Sequence, residues 1–463
     1  MSLWTWTELT AAVHVADQTG PEIRGVSIDS RTVAEGDLFV ALRGSAPPPF
    51  HSSGGAGRDG HEFVRAAFAA GAAGALVHQL TAPEAGKSMS VGTGTAAAPC
   101  ILVPDTFEGL WAIARAARRR ADARVVAMTG SSGKTTLRHL VEALFRVVGN
   151  GHTSTGSLNN HWGVPLSMAR MPRATTRAAF EVGMNHPGEL APLAKLVEPE
   201  IAVVLNVLPV HLEQFTDGIA GIRREKLSIR EGLLPGGTLL VPEALGERGP
   251  HVIVYDGAGS PVRLIDDRES RLVFDYRGTR LSLRAPDAGH HHVQTMRAAL
   301  TIGALLDLPA DAAETAWAHL GPLAGRGALT RVGGVTICDD SYNANPVSMA
   351  HALEALRSRE GGRRIAVLGE ILELGGEAPT FYDSLADATA GLSGVITVGD
   401  GLAEFPAHAP RWKHVSSVAE LPPETFAEEL QPGDQVLVKG SNRVFWVHQW
   451  TQRLIEALER RGG

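Results

Sequence analysis

The chain has 463 residues, of which 44% are apolar and 20% are charged, and its formal net charge is -7. This length exceeds what one hydrophobic core usually serves, so we expect two or three globular domains. The negative balance argues against a nucleic-acid or membrane-surface partner, because neither is attracted to an acidic protein; small, charged substrates are the simpler expectation.

The sequence also indicates a compartment. Its two cysteines, Cys100 and Cys338, have no paired spacing, which argues against a disulfide framework and against a thiolate zinc site. The opening residues MSLWTWTELT lack a basic segment followed by an apolar stretch, and no apolar run approaches the roughly 18 residues of a membrane helix. We therefore expect a cytoplasmic protein without a membrane span.

The first part of the chain, residues 1–106, reads as a small α/β domain. A small-residue helix is predicted near residues 62–70, between short β-like runs. These runs are residues 26–28, 38–42, 75–77 and 101–103. Proline, glycine and serine crowd residues 45–58, which predicts a loop or a disordered insertion there.

The middle of the chain, residues 107–324, has the pattern of a doubly wound α/β domain with a parallel sheet. An apolar run from Arg124 leads into a glycine turn, and apolar residues then recur at helical spacing from Leu137 to Val148. Four further strand-like runs alternate with helical segments. They are residues 178–182, 201–207, 238–241 and 252–255.

Residues 325–463 form a third unit, predicted to be a Rossmann-like α/β domain. Its strand-like runs are residues 335–338, 364–368, 394–398 and 435–438. The predicted fold class is therefore α/β with three domains, in which a small N-terminal domain and a C-terminal domain flank a central P-loop domain.

The glycine turn after the first central strand predicts a phosphate-binding loop. It consists of Gly130, Ser131, Ser132, Gly133, Lys134, Thr135 and Thr136. Backbone N–H groups can face phosphates, Lys134 supplies a positive charge, and Thr135 offers a hydroxyl to Mg²⁺. An ordinary Gly-Ser turn that caps a helix is the alternative, but it would not require the lysine and two threonines. Met128 stands where the usual longer loop has glycine, which argues against a typical GTPase or kinase.

Further motifs follow in a fixed order, and with the loop they resemble the Mur ligase family. They are Asn159-Asn160, Glu181-Val182-Gly183, Asn206 to His211, Lys226, Arg326 and DDSYNANP at residues 339–346. Near the N-terminus, Asp29-Ser30-Arg31, GDLFVAL at 36–42 and DGHEF at 59–63 are similar to the family's uridine-nucleotide domain. DDSYNANP, LGEILELG at 368–375 and VKGS at 438–441 resemble the members that add D-alanyl-D-alanine to UDP-N-acetylmuramoyl-tripeptide.

This resemblance implies a reaction and a division of labour. ATP converts a carboxylate to an acyl-phosphate, and an amine then attacks to form an amide. Residues 1–106 would bind the UDP-sugar, residues 107–324 would bind ATP, and residues 325–463 would close over ATP and bind the dipeptide. The implied cofactors are ATP and Mg²⁺, with two metal ions, and the chain is expected to act as a monomer.

The resemblance also implies roles for individual residues. The ATP contacts would be the loop residues, Arg326 and Asp340, and the substrate contacts would be Ser30, Arg31, Asn159 and Asn160. The Mg²⁺ ligands would be Thr135, Glu181, His211 and Lys226, with Lys226 carbamylated; Lys134, His211 and Lys226 would be catalytic. Without the resemblance, Glu181 would be predicted to be a solvated carboxylate at a strand end. Lys226 would be predicted to lie on the solvated face of a helix over residues 222–233.

Some features depart from the family pattern or leave alternatives open. In the segment from Gly289 to Thr295, His292 and Thr295 stand where the family has asparagines near adenine, and we predict a polar loop there. The alternatives are a sister ligase (one that adds the third amino acid, or a folylpolyglutamate or cyanophycin synthetase), a P-loop switch that hydrolyses nucleotide, and an inactive binding homologue.

Overall fold

The computed structural model describes residues 2–51, 58–79, 99–210, 212–268, 271–284, 291–372, 374, 378–405 and 407–462. Within these ranges the chain forms three largely parallel sheets and one small antiparallel sheet, which confirms the predicted α/β class. No helix in the described ranges has both the length and the apolar character that crossing a membrane requires.

The N-terminal sheet is parallel and has the strand order β1-β2-β3-β4. Its strands are β1 (Gly25–Ser27), β2 (Asp37–Val40), β3 (Gly74–Val77) and β4 (Cys100–Leu102), which confirms the four predicted runs. Helix α1 (Trp6–Ala12) begins at Thr5, whose hydroxyl and the Glu8 carboxylate form a capping box. Helix α2 (Val64–Ala69) lies within the predicted helical segment.

The central sheet is also parallel, with the order β10-β9-β8-β5-β7-β6. Its strands are β5 (Arg124–Thr129), β6 (Gly151–Thr153), β7 (Arg177–Glu181), β8 (Ile201–Val204), β9 (Thr238–Val241) and β10 (Val252–Val254). Its helices are α3 (Thr106–Arg120), α4 (Lys134–Val148), α5 (Gly163–Ala169), α6 (Leu190–Val197), α7 (Gly218–Leu227), α8 (His291–Leu305) and α9 (Ala310–Ala318). Strand β8 ends three residues earlier than predicted, so the segment after Val204 is free to line a site at the sheet edge.

Two features of the central region differ from the predictions. An antiparallel sheet of β11 (Val262–Arg268), β12 (Arg271–Tyr276) and β13 (Thr279–Arg284) was not predicted. Its buried residues pack in one cluster with those of α4 and α8. The polar loop expected at residues 289–295 was wrong for residues 291–295, since α8 begins at His291; residues 289 and 290 lie outside the described ranges.

The C-terminal sheet has the order β14-β15-β19-β16-β17-β18, and only the β14–β15 pair is antiparallel. Its strands are β14 (Ala328–Val332), β15 (Val335–Asp340), β16 (Arg364–Gly369), β17 (Gly394–Val398), β18 (Trp412–Val415) and β19 (Gln435–Lys439). Its helices are α10 (Pro346–Arg357), α11 (Ala378–Ala386), α12 (Pro423–Glu429) and α13 (Trp450–Gly462). The four predicted strand runs of this region are confirmed.

The hydrophobic cores divide the chain unevenly. One hydrophobic cluster contains residues of both the N-terminal region and the central sheet, from Trp4 to Val241. The two clusters of the C-terminal region contain residues of that region alone. Trp4 is 1% exposed, its indole N–H donates to the Ala169 carbonyl at 2.8 Å, and the Arg120 guanidinium lies 3.2 Å from its ring centroid. The N-terminal and central regions are therefore packed as one body.

Candidate active site

The phosphate loop lies between β5 and α4 at the carboxyl edge of the central sheet. Gly133 has φ 79°, a left-handed conformation that a side chain would strain, so glycine is needed for the loop to turn into the helix. The Lys134 ammonium folds back and donates to the Gly130 carbonyl at 2.7 Å. Burial lowers the pKa of Lys134, and the nearby Glu181 carboxylate opposes that shift. The strand, loop and helix are arranged as the sequence predicted.

The segment that follows β8 holds the phosphate loop in shape. The Asn206 side-chain oxygen accepts from the Ser132 backbone N–H at 3.0 Å, and its amide donates to the Ser132 carbonyl at 3.2 Å. The Ser131 hydroxyl donates to the Leu208 carbonyl at 3.1 Å. Sequence reasoning had not given Asn206 this positioning role, although its place just after a strand adjacent to β5 was a usable signal.

Glu181 ends β7, where the sheet register pairs it with Met128 beside the loop. It is only 2% exposed, so the solvated carboxylate that its sequence alone suggested is wrong. One carboxylate oxygen accepts from the Asn159 amide at 2.7 Å and the other from the Thr135 hydroxyl at 3.1 Å. A side chain at Gly183 would come within 2.9 Å of Asn159, so glycine gives that amide room. The result is a compact cluster of oxygen atoms beside the phosphate loop.

Arg326 reaches this cluster from the C-terminal region. Its guanidinium donates to the Thr135 hydroxyl at 3.2 Å and lies 4.0 Å from the centroid of the Tyr342 ring. The Tyr342 hydroxyl in turn makes a close hydrogen bond with the Ser157 hydroxyl of the central region. Two side chains of the C-terminal region therefore contact the central region directly at the phosphate loop.

Asp340 is paired with a buried lysine. Strands β15 and β19 place Asp340 opposite Lys439, and the Lys439 ammonium donates to the carboxylate at 2.5 Å. Lys439 is 2% exposed and also donates to the Asn343 carbonyl at 3.3 Å. Because a buried charge is costly unless it is paired, the Lys439 ammonium requires the Asp340 carboxylate.

Lys226 lies on α7 and is 3% exposed. Its neighbour Glu225 is buried too, because the Glu225 carboxylate accepts from the backbone N–H groups of Gly188 and Leu190 at 2.8 Å each. The alternative reading of Lys226 as part of a solvated face is therefore wrong, and Glu225 is not solvated either. Burial and the nearby Lys134 charge set the pKa of Lys226 well below its usual range. Among the described residues, no hydrogen bond or ion pair to its amine is found.

These residues line one cleft of about 970 Å³ between the central and C-terminal regions. The predicted site residues that it brings together are Gly130, Ser131, Ser132, Gly133, Lys134, Thr135, Thr136, Asn159, Glu181, Lys226, Arg326 and Asp340. Gln294 and Thr295 of α8 line it as well. The cleft is lined by backbone N–H groups, by three lysines (Lys134, Lys226 and Lys439), by two arginines (Arg326 and Arg443) and by the buried Glu181 carboxylate. This lining suits a polyphosphate with a bound cation.

The remaining predicted residues are placed differently. The Asn160 side-chain oxygen accepts from the backbone N–H groups of Trp162 and Gly163, at 3.2 and 2.9 Å, and so supports the start of α5. Ser30 and Arg31 follow β1 in the N-terminal region, where the Arg31 side chain is 86% exposed and pairs with Asp29 at 2.6 Å. His211 lies outside the described residues, and the roles of all these residues stay predictions.

Comparison with known proteins agrees with this geometry. Residues 128–302 match the Mur ligase middle domain, and residues 325–442 match the Mur ligase glutamate ligase domain. The chain belongs to the Mur ligase family and is an ATP-dependent ligase, as the motifs predicted. Mur ligases use ATP and Mg²⁺.

Two relatives of similar length are both named UDP-N-acetylmuramoyl-tripeptide--D-alanyl-D-alanine ligase. The Treponema pallidum enzyme is 32% identical over 469 residues, covering 96% of this chain and 97% of the relative. The Bacillus subtilis enzyme is 29% identical over 441 residues, covering 90% of each. Among solved structures, MurF from Acinetobacter baumannii superposes with a TM-score of 0.79 at 27% identity, covering 98% of this chain and 99% of that one.

Proposed function

We propose that this chain adds D-alanyl-D-alanine to UDP-N-acetylmuramoyl-tripeptide, using ATP, to give the pentapeptide precursor of peptidoglycan. The observation that carries the proposal is the cleft in which the phosphate loop, Glu181 and Lys226 face Arg326 and Asp340. The relatives of similar length that bear this enzyme's name give the proposal its substrates.

The first step activates the tripeptide carboxylate. Its oxygen attacks the γ-phosphorus of ATP, the bond to the bridging oxygen breaks, and acyl-phosphate and ADP form. The loop N–H groups and the ammonium of Lys134 hold the phosphates, and Arg326 adds a second positive charge. Because negative charge spreads over the transferring group, positioning and charge neutralisation supply most of the catalysis.

The Mg²⁺ sites would use Thr135, Glu181, His211 and Lys226, and we propose two ions. A threonine hydroxyl 3.1 Å from a buried carboxylate oxygen offers the oxygen ligands that Mg²⁺ prefers. Lys226 would join as a carbamate: its lowered pKa favours the neutral amine, which can add to CO₂ and release a proton. Bound Mg²⁺ would supply charge neutralisation at the phosphates.

The second step makes the amide bond. The dipeptide amine attacks the acyl carbon, and the tetrahedral intermediate expels phosphate and gives up a proton. We assign residues 1–106 to the UDP-sugar, with Ser30 and Arg31 as contacts, residues 107–324 to ATP, and residues 325–463 to closure and dipeptide binding. Asn159 and Asn160 would meet the tripeptide. Contact of Arg326 with the loop supports closure, which keeps water from the acyl-phosphate.

The cellular setting follows from the chemistry proposed. ATP and a UDP-linked substrate are cytoplasmic metabolites, so we propose that the enzyme works in the cytoplasm. We also propose that the enzyme acts as a monomer.

ATP-dependent phosphate release tests this proposal. We expect release only when UDP-N-acetylmuramoyl-tripeptide and D-alanyl-D-alanine are both present, with mass spectrometry detecting the pentapeptide product. D-alanine and an L-amino acid serve as alternative acceptors. Hydrolysis of ATP without any amine would instead support a P-loop switch, and product with only a single amino acid would support a sister ligase.

A further inference from the structure

A cluster of two imidazoles and one carboxylate lies outside the proposed chemistry. One member, His51, lies between β2 and α2 in the N-terminal region. The other two, His186 and Glu189, precede α6 in the central region. The ligand atoms of the three side chains all lie within 4.8 Å of one another. The His186 and His51 Nδ1 atoms lie 3.2 and 3.7 Å from the same Glu189 oxygen.

These separations match a small tetrahedral metal site. Zinc–ligand bonds of about 2.0–2.1 Å at tetrahedral angles place neighbouring ligand atoms roughly 3.3 Å apart. The imidazole centroids of His51 and His186 are 4.0 Å apart, and both rings lie beside the same Glu189 oxygen. A cation held between them would be bound by two imidazole nitrogens and one carboxylate oxygen.

The carboxylate is already oriented for such a role. The Glu189 side chain is 7% exposed, and its second oxygen accepts from the backbone N–H groups of Asn185 and His186 at 2.8 and 3.1 Å. Support of this kind fixes a metal ligand in place. The other Glu189 oxygen faces the two imidazoles, contacting the His186 Nδ1 at 3.2 Å and accepting from the His51 backbone N–H at 3.4 Å. The His51 side chain is 58% exposed, which gives an ion a route in and leaves space for a water ligand.

We propose that His51, His186 and Glu189 form a zinc site that ties the N-terminal loop to the central region. Two imidazoles and one carboxylate with a fourth, open position form a ligand set typical of zinc. The ion would fix the turn at residues 184–189, whose first two residues, Met184 and Asn185, line the large cleft. Zinc would thereby stabilise the part of the cleft wall that Met184 and Asn185 form.

A second cluster of the same residue types is not proposed as a site. In the cluster of Asp59, His61 and His78, the His61 Nδ1 lies 2.7 Å from Asp59, and its Nε2 accepts from the His78 backbone N–H at 3.0 Å. Both ring nitrogens of His61 are therefore already in use. This cluster provides a matched control.

The test is a Zn²⁺ titration of the full chain. The protein is stripped with a chelator, dialysed, and titrated by competition with a chromogenic zinc indicator in millimolar Mg²⁺, which occupies oxygen-rich sites. We expect His51→Ala to lose one equivalent of Zn²⁺ or to bind it at least tenfold more weakly than the wild type. Co²⁺ loaded in place of Zn²⁺ should give the visible bands of a tetrahedral site in the wild type and lose them in this variant.

Two control variants make the result specific. His251→Ala removes an exposed histidine elsewhere, and His78→Ala opens the second cluster; both should bind Zn²⁺ like the wild type. Circular dichroism establishes that each variant is folded, and His186→Ala should repeat the loss. The proposal is overturned if His51→Ala matches the wild type, if loss follows His78→Ala instead, or if the wild type binds no Zn²⁺ under these conditions.

Discussion

The two sides of the cleft are built in different ways. On the central side, Thr135, Asn159 and Glu181 contact one another because neighbouring parallel strands end at the same edge. On the C-terminal side, Arg326 and Tyr342 reach the same place only because two separately packed regions meet. The central side can therefore be preorganised by its own sheet, whereas the contribution of the C-terminal side depends on the approach of the domains.

The largest effect should come from breaking the central side at Lys134. We expect Lys134→Ala to lower the rate of phosphate release by about 10³-fold or more, because the transferring phosphoryl group loses a charge placed within the cleft. Thermal stability should change little, since the ammonium's hydrogen bond is to the Gly130 carbonyl of its own loop. Lys195→Ala, at an exposed lysine paired with Glu231, is the matched control. Near-normal turnover would contradict the assignment of the phosphate loop.

Replacing Lys226 should give the next largest loss of rate, and it tests whether the central side contains a carbamate. We expect Lys226→Met to lose about 10²-fold in rate. Wild-type activity should fall in CO₂-depleted buffer and return with bicarbonate, while the variant stays insensitive. An equal loss of rate without any bicarbonate response in the wild type would argue against the carbamate.

The lowered pKa of Lys226 also predicts a change in stability with pH. The unfolded residue takes up a proton near pH 10.4, whereas the folded residue does so only at a lower pH. In CO₂-depleted buffer, where Lys226 remains a free amine, the wild-type chain should therefore lose stability as the pH falls from about 10.4 towards the folded pKa, and Lys226→Met should lack this loss. Chemical unfolding at several pH values measures the difference.

Arg326 tests the C-terminal side. We expect Arg326→Ala to cost roughly 10- to 100-fold in kcat/KM for ATP, because the charge that this domain brings to the loop is removed. Thermal stability should remain close to that of Arg331→Ala, an exposed arginine on β14. An unchanged kcat/KM would show that closure of the C-terminal region adds no charge that the reaction needs.

The smallest effect should come from the hydroxyl contact between the two sides. We expect Tyr342→Phe to reduce turnover about fivefold, the equivalent of one net hydrogen bond of about 1 kcal/mol, while the ring still stacks on Arg326. Ser157→Ala should give the same loss, and the double variant should lose no more than either alone. Additive losses would mean that the two hydroxyls act separately, not through their mutual contact.

Much of the fold was readable from the sequence because its signals are local. The loop from Gly130 to Thr136 could be predicted because an apolar strand pattern precedes it and an amphipathic helix pattern follows it. The structure has both elements. The antiparallel strands β11–β13 were missed. Their charged residues, such as Asp266 and Arg271, obscure a half-buried alternation that becomes meaningful only when it packs on α4 and α8.

The sequence could predict which residues belong to the candidate site, but not how they contact one another. The solvated reading of this helix holds for Arg223 and Arg224, which are exposed. No local pattern could show that Glu225 binds backbone groups of Gly188 and Leu190, 35 or more positions away, or that Lys226 beside it is buried. Likewise, the meeting of Arg326 with a residue 191 positions earlier depends on domain placement, which no local pattern encodes.

The core shared by the N-terminal region and the central sheet has a consequence for how the chain melts. One packed cluster contains residues of both regions, from Trp4 to Val241, so neither region can unfold without exposing part of the interior of the other. A calorimetric scan should therefore show fewer melting transitions than domains, with the N-terminal and central regions lost as one cooperative unit and the C-terminal region free to melt separately.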